Sequence, residues 1–258
     1  MNWYEALIFG LVQGLTEFLP VSSEGHLEIV KYFFGGIEES FMFTVVVHGA
    51  TVLSIIFVFW NEIIKLLKGV FRFRLNEETI YVLKIIVSMI PVAIVGFTIK
   101  DYVKSLFLAN IKITGSFLLV SGMFLAMGHY VKKRDKEISF GGAFVMGIAQ
   151  ALAVLPGLSR SGSTISTGLA LGYKKDDLAK FSFLMVIIPV IGANVVELFT
   201  AESTAVDVVF LPLMISFVSA FISGYLACRW MISIVRKSKL GWFALYCFIV
   251  GLSLIFFA

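Results

Sequence analysis

Charge is what this 258-residue chain has least of. Only 15% of its residues are Asp, Glu, Lys or Arg, against 59% apolar, and its mean hydropathy is +0.96. A soluble domain of this size would lack the polar surface it must show to water. That excludes a soluble globular protein and leads us to expect an integral membrane protein. Cysteine is scarce as well. Cys228 and Cys247 both lie in apolar runs with no ligand spacing around them, so they read as packing residues and say nothing of redox compartment. A basic face interleaved with aromatics is missing despite a net charge of +4 and a pI near 9.0, so nucleic acid is not an expected partner. Met1 to Pro20 has neither a basic n-region nor a cleavage site, and a secretory signal is not expected there.

What is present is apolar length. Six runs are long enough to cross a hydrocarbon core of about 30 Å, which takes about 20 apolar residues: 41–60, 80–99, 111–131, 178–199, 208–231 and 241–257. Four more helical pieces, 3–18, 23–35, 140–155 and 161–172, are too short or too polar to span. They pair into two hairpins, 3–35 and 140–172, each broken at a polar motif. Irregular backbone at membrane depth is tolerated only inside protein or along a cavity, so both turns are expected at the interior.

The two polar motifs resemble each other. Gly10-Leu11-Val12-Gln13-Gly14-Leu15 leads through Glu17 to Pro20-Val21-Ser22-Ser23-Glu24-Gly25-His26. Gly147-Ile148-Ala149-Gln150-Ala151-Leu152 leads to Pro156-Gly157-Leu158-Ser159-Arg160-Ser161-Gly162. An offset of 137 residues matches Gly10 to Gly147, Gln13 to Gln150, Ser22 to Ser159 and Gly25 to Gly162, with a one-residue slip at the prolines. The chain therefore reads as a duplication around one site. The fold expected is an all-α membrane domain of six transmembrane helices and two re-entrant hairpins, arranged as repeats over 1–131 and 140–258.

Three crossings per half is an odd number, which inverts the second half relative to the first. Lysine and arginine counts test this, because cytoplasmic loops carry more of them. Lys65, Lys68, Arg72, Arg74, Lys132, Lys133, Arg134, Lys136, Lys174, Lys175, Arg236, Lys237 and Lys239 fall on one side, and Lys31, Lys100, Lys104 and Lys112 on the other. The rich side is assigned to the cytoplasm of a multi-pass plasma-membrane protein, leaving both termini and the site's opening on the outer face.

The chemistry of the motifs follows from their residues. Gln13 and Glu17 are four apart and share a helix face. A carboxylate at bilayer depth costs about 2.5–3.5 kcal/mol, so Glu17 needs a cation or a proton, and a structural ion pair with Arg160 would also meet that need. Ser22 or Ser23 can cap the helix that follows. His26 lies three residues beyond Ser23 and can reach the same face, and a serine beside an imidazole is the minimum for an activated hydroxyl. The second motif is an anion cradle: small residues open backbone N–H groups to phosphate, a helix N-terminus follows, and Arg160 adds a planar fork. Glycine and serine also serve close helix packing, which accounts equally for Gly162. Glu17 and His26 have no counterparts in the second half, where Val154 and Ser163 stand. That asymmetry favours an enzyme over a carrier.

The stretches Gln13 to His26 and Pro156 to Gly162 together resemble the two signatures of the undecaprenyl-diphosphate phosphatase family, of the bacitracin-resistance type, and the resemblance extends over essentially the whole chain. It implies hydrolysis of a polyprenyl diphosphate lipid to the monophosphate, and a divalent metal, Mg2+ or Ca2+, with Glu17 and Gln13 as its ligands. By the same resemblance Ser23 and His26 match the catalytic serine and histidine, and Ser159 with Arg160 the phosphate-binding motif. Ser22, Ser161 and Gly162 join the substrate-binding set. Position 24 departs from the family in being Glu where Thr is common. Val47-His48-Gly49-Ala50 stands where Gln-Leu-Gly or His-Leu-Gly is usual, and His48 is either a further substrate contact or a packed histidine bonded to a carbonyl. A flippase or transporter of polyprenyl phosphate or another anion is the rival reading. A homodimer is compatible with the sequence, which fixes no oligomeric state.

Overall fold

The computed structural model describes residues 1–34, 41–98, 111–131, 134–200, 210–237 and 239–257. Lys100, Lys104, Lys132 and Lys133, used above to compare the two sides, lie outside them, as do residues 35, 99, 208 and 209 of the expected helices. Among the described residues all regular elements are helices: α1 (Trp3–Phe18), α2 (Ser23–Phe33), α3 (Phe41–Val58), α4 (Trp60–Val70), α5 (Glu77–Thr98), α6 (Ile111–Tyr130), α7 (Phe140–Leu152), α8 (Arg160–Leu171), α9 (Lys175–Thr200), α10 (Phe210–Arg236) and α11 (Gly241–Phe257). One isolated bridge joins Lys136 to Tyr173.

Among the described residues four helices, α5, α6, α9 and α10, are long and apolar enough to cross a membrane, and α3 with α4 adds a fifth if that bent pair is one span. Six were expected. The difference has two sources. The run 41–60 does not continue straight: the helix breaks at Phe59 and α4 leaves at 78° to α3. The run 241–257 is helical over its full length, but its 17 residues reach only about 25 Å at 1.5 Å per residue. The lipid-facing surface is visible on α5, where Ile86, Ile90, Ile94 and Phe97 form an exposed stripe. In water such a stripe would be a liability; against acyl chains it needs no cover.

Small residues set the packing. α1 lies along α10, and a Cβ on Gly10 would come within 2.5 Å of the Ser216 carbonyl. α7 lies along α5, where a Cβ on Gly147 would collide with the Ser88 carbonyl. α6 crosses α11 at a mutual contact: a Cβ on Gly115 would sit 2.9 Å from the Gly251 carbonyl, and one on Gly251 would sit 2.7 Å from the Gly115 carbonyl. Each of these pairs joins a helix from residues 1–131 to one from 140–258. The main core, with Leu118, Leu125, Ile165, Phe181, Met185 and Met231, also draws on both stretches. The turns that follow α1 and α7 are thereby brought together, a Cβ on Gly25 lying 3.1 Å from Gly157 and one on Gly162 lying 3.3 Å from Pro20.

Candidate active site

α1 carries Gln13 and Glu17 one turn apart on a face turned inward. Gln13 is fully buried, and the Glu17 side chain keeps 5% of its surface. Gln13 Nε2 donates to Glu17 Oε2 at 3.1 Å. Beyond α1 the chain turns through Pro20 to Ser22, whose φ of 70° is a left-handed conformation that a non-glycine residue keeps only when its surroundings enforce it. Three bonds do so. Ser22 Oγ accepts the Gly25 N–H at 3.3 Å and caps α2, while its carbonyl accepts the His26 backbone N–H at 3.2 Å and the His26 Nδ1–H at 2.8 Å. The turn points Ser23 back at α1, where its hydroxyl donates to Glu17 Oε2 at 2.7 Å.

The second motif reaches the same carboxylate from the opposite half of the chain. Its turn uses Gly157, with φ of 94°, where a Cβ would lie 2.5 Å from the Thr114 carbonyl. Ser121 of α6 pins that turn by donating to the Gly157 carbonyl at 2.9 Å and accepting the Ser159 N–H at 2.8 Å. Ser159 Oγ in turn caps α8 through the Gly162 N–H at 3.1 Å. Arg160 is thus fixed as the first residue of α8, and its Nη2 donates to Glu17 Oε1 at 2.6 Å. The two turns differ in where the left-handed residue falls: it is Ser22 in the first, and in the second Gly157, two places before the counterpart of Ser22, Ser159.

Glu17 therefore accepts from a guanidinium, a hydroxyl and an amide at once. A carboxylate so paired is held ionised and oriented, as a buried charge requires. A cleft lined by Thr16, Glu17, Ser22, Ser23, Glu24, Ala153, Leu158, Ser159 and Arg160 opens beside it. Gln13 stands behind Glu17. Ser161 and Gly162 lie behind the cradle: Ser161 Oγ donates to the Leu19 carbonyl at 3.4 Å, and a Cβ on Gly162 would meet Pro20 at 3.3 Å. Glu24 adds a second carboxylate to the cleft wall, on which the charge of Arg160 also acts.

Two residues stand differently from their sequence expectation. His26 is not bonded to Ser23. The Ser22 carbonyl takes its Nδ1–H, which turns Nε2 toward α11, where the Tyr246 hydroxyl lies 2.6 Å away. Glu17, not the imidazole, is the partner of the Ser23 hydroxyl. His48 takes the packed arrangement: its Nδ1–H donates to the Thr44 carbonyl at 2.9 Å, and it is absent from the cleft wall.

For a divalent cation the donor chemistry is suitable. Gln13 Oε1 is a buried oxygen without a hydrogen-bond partner, on the amide whose Nε2 bonds Glu17, and hard cations take such oxygens. No group of three or more His, Cys, Asp or Glu side chains is gathered among the described residues. Tyr246 and Ser121 escaped sequence reasoning. Each sits in an apolar helix whose composition gives no sign that its hydroxyl faces a motif far along the chain.

Comparison with known proteins gives the family. The family model described as bacitracin resistance protein BacA matches residues 6–253. A Bacteroides thetaiotaomicron protein named undecaprenyl-diphosphatase is 52% identical over 261 residues, covering 99% of this chain and 98% of that protein. Proteins of the same name from Christiangramia forsetii and Halothermothrix orenii are 46% and 36% identical, each covering 100% of this chain and 99% of the relative. With a match that spans both polar motifs and nearly every residue between and around them, the chain belongs to the bacitracin resistance protein BacA family.

Proposed function

We propose that the chain is a multi-pass plasma-membrane phosphatase that hydrolyses undecaprenyl, or another polyprenyl, diphosphate to the monophosphate and inorganic phosphate. Its role is to recycle the glycan carrier lipid, and bacitracin resistance follows from that. The observation that carries this reading is the meeting of Ser23, Glu17 and Arg160 in one cleft. A nucleophile and a phosphate-binding cation each stand within a hydrogen bond of the same proton acceptor, Glu17.

In this mechanism the diphosphate takes Arg160 away from Glu17, trading a carboxylate for phosphate oxygens that match the same fork. Ser23 attacks the terminal phosphorus while its proton passes to Glu17 Oε2. The bond from that phosphorus to the bridging oxygen breaks, and the lipid monophosphate leaves. Water then opens the phosphoserine: its proton passes to His26, the proton held on Glu17 returns to the Ser23 oxygen as the bond from phosphorus to that oxygen breaks, and inorganic phosphate leaves. Backbone donors after Gly157 and the start of α8 hold the equatorial oxygens. A divalent cation, Mg2+ or Ca2+, bound by Glu17 and Gln13 Oε1 with water and phosphate oxygens, would neutralise the charge on the phosphates. The prenyl tail lies in lipid or between helices.

The same reading treats 1–131 and 140–258 as inverted repeats with re-entrant hairpins at 3–35 and 140–172. Reciprocal contacts support it. Gly25 approaches Gly157 and its repeat mate Gly162 approaches Pro20, while Gly115 and Gly251 approach each other's carbonyls. Such exchanged pairs are the mark of a two-fold relation. The asymmetry of lysine and arginine supports an outward-facing site.

The test is phosphate release from a long-chain polyprenyl diphosphate by purified protein in detergent, comparing the parent with Ser23→Ala, His26→Ala and Arg160→Ala. Losses of about 10²–10⁴-fold in each variant are expected, with acid quench trapping phosphate on Ser23. No release from folded parent would overturn the reading and move the weight to lipid-phosphate transport, since detergent leaves no two sides to transport between.

A further inference from the structure

His26 is held by two partners from different parts of the chain, and together they define its state. The Ser22 carbonyl can only accept, so Nδ1 carries the hydrogen in the 2.8 Å bond between them. In the neutral ring Nε2 is then the lone-pair nitrogen. The atom it faces is the Tyr246 hydroxyl, 2.6 Å away, which must be the donor. The Tyr246 ring also lies along the imidazole, 14° from parallel with centroids 5.6 Å apart. Bond and stack together fix the rotation of His26 against α11, while the Ser22 carbonyl sets its tautomer. Tyr246 itself is 42% exposed, so its hydroxyl stands between the imidazole and the outside of the bundle. Packing alone does not require a phenol here: phenylalanine would stack as well.

We propose that Tyr246 is a positioning residue of the active site, its hydroxyl holding the basic Nε2 of His26 in place while the Ser22 carbonyl sets the Nδ1–H tautomer. Tyr246 touches neither Ser23 nor Glu17. It acts through His26, and this step rests on the phosphatase reading for its effect on turnover but not for its effect on the imidazole. The role resembles that of the groups that orient a functional histidine by bonding one of its nitrogens, whose removal lowers activity about 10- to 100-fold.

Tyr246→Phe keeps the ring and its stack and removes only the hydroxyl. Its kcat for phosphate release should fall about 10- to 100-fold, with KM within about twofold of the parent, because the diphosphate contacts at Arg160 and the α8 cradle are unchanged. The second readout is the 15N spectrum of histidine-labelled protein. The chain has three histidines, and His26→Gln assigns the one of interest. The parent should show His26 as the Nδ1–H tautomer with a hydrogen-bonded Nε2, and Tyr246→Phe should move the Nε2 resonance to that of an unbonded imine nitrogen. An Nε2–H tautomer in the parent overturns the proposal before any variant is made. So does an unmoved Nε2 resonance, or an unchanged kcat per folded molecule, in Tyr246→Phe. If the parent releases no phosphate, the phosphatase reading fails while the spectrum still decides whether Tyr246 sets the imidazole.

Discussion

Glu17 and Arg160, 143 residues apart in the chain, meet at 2.6 Å in the interior, and the ion pair fastens one half of the protein to the other. Breaking a fully buried pair from one side costs about 3–5 kcal/mol, because the survivor is left charged and unpaired. Arg160 keeps 22% of its side-chain surface, so Arg160→Met should fall at the lower end of that range, seen as a lower unfolding temperature in detergent. Glu17→Gln strands the guanidinium instead and should also destabilise. The double variant Glu17→Gln/Arg160→Met removes both members of the pair, leaving only Glu24 of the cleft without its nearby cation, and should recover much of the lost stability while releasing no phosphate. Additive losses in the double variant would mean that the two residues act separately.

Glycine substitutions should change sign with position. In a helix interior Gly→Ala gains about 0.8–1.0 kcal/mol from propensity alone. Gly192 on α9 has nothing within 4 Å of a new Cβ, so Gly192→Ala should raise the unfolding temperature. At Gly147 the Cβ lands on the Ser88 carbonyl, a backbone atom that moves only with its helix, and overpacking of this kind costs about 1–3 kcal/mol. Gly147→Ala should therefore lower it despite the better propensity. Equal shifts at both sites would show that α7 and α5 are less tightly apposed than the geometry requires.

The contrast between what the sequence conveyed and what it did not follows the range of the forces involved. The pairing of Glu17 with Arg160 was legible because a buried carboxylate needs a counter-charge and the apolar interior offers few. The helix start at Ser23 was legible too, since Ser22 carries the local bond that makes a cap; the second helix, expected from 161, starts one residue earlier at Arg160, capped by Ser159. His26 was misjudged because spacing gives the face a side chain can reach, not the acceptor that wins it. The left-handed Ser22 brings its own carbonyl within 2.8 Å of Nδ1, a backbone conformation no residue count reveals. The 78° bend at Phe59 was hidden for a related reason. An apolar run has the same composition straight or bent, and the turn is fixed by packing partners, such as Lys180 of α9, which pairs with Glu62 of α4 at 2.6 Å.

Gln13 offers the sharpest test of the cation. Its Nε2 is spent on Glu17, leaving Oε1 buried with no hydrogen-bond partner, a state that costs about 1–3 kcal/mol unless something satisfies it. A divalent cation bound by Gln13 and Glu17 would do so. Chelation should then abolish phosphate release, and Mg2+ or Ca2+ should restore it. Gln13→Leu removes the oxygen and should raise the cation concentration for half-maximal release about 10- to 100-fold. It also removes the bond that orients Glu17, so a loss of rate alone would not decide the matter. Gln13→Glu does, because it returns an oxygen to the same place without the N–H donor. Recovery of the cation response in Gln13→Glu would assign the oxygen to the metal. An unchanged half-maximal concentration in Gln13→Leu would remove Gln13 from the ligand set and leave its amide with the single task of holding Glu17.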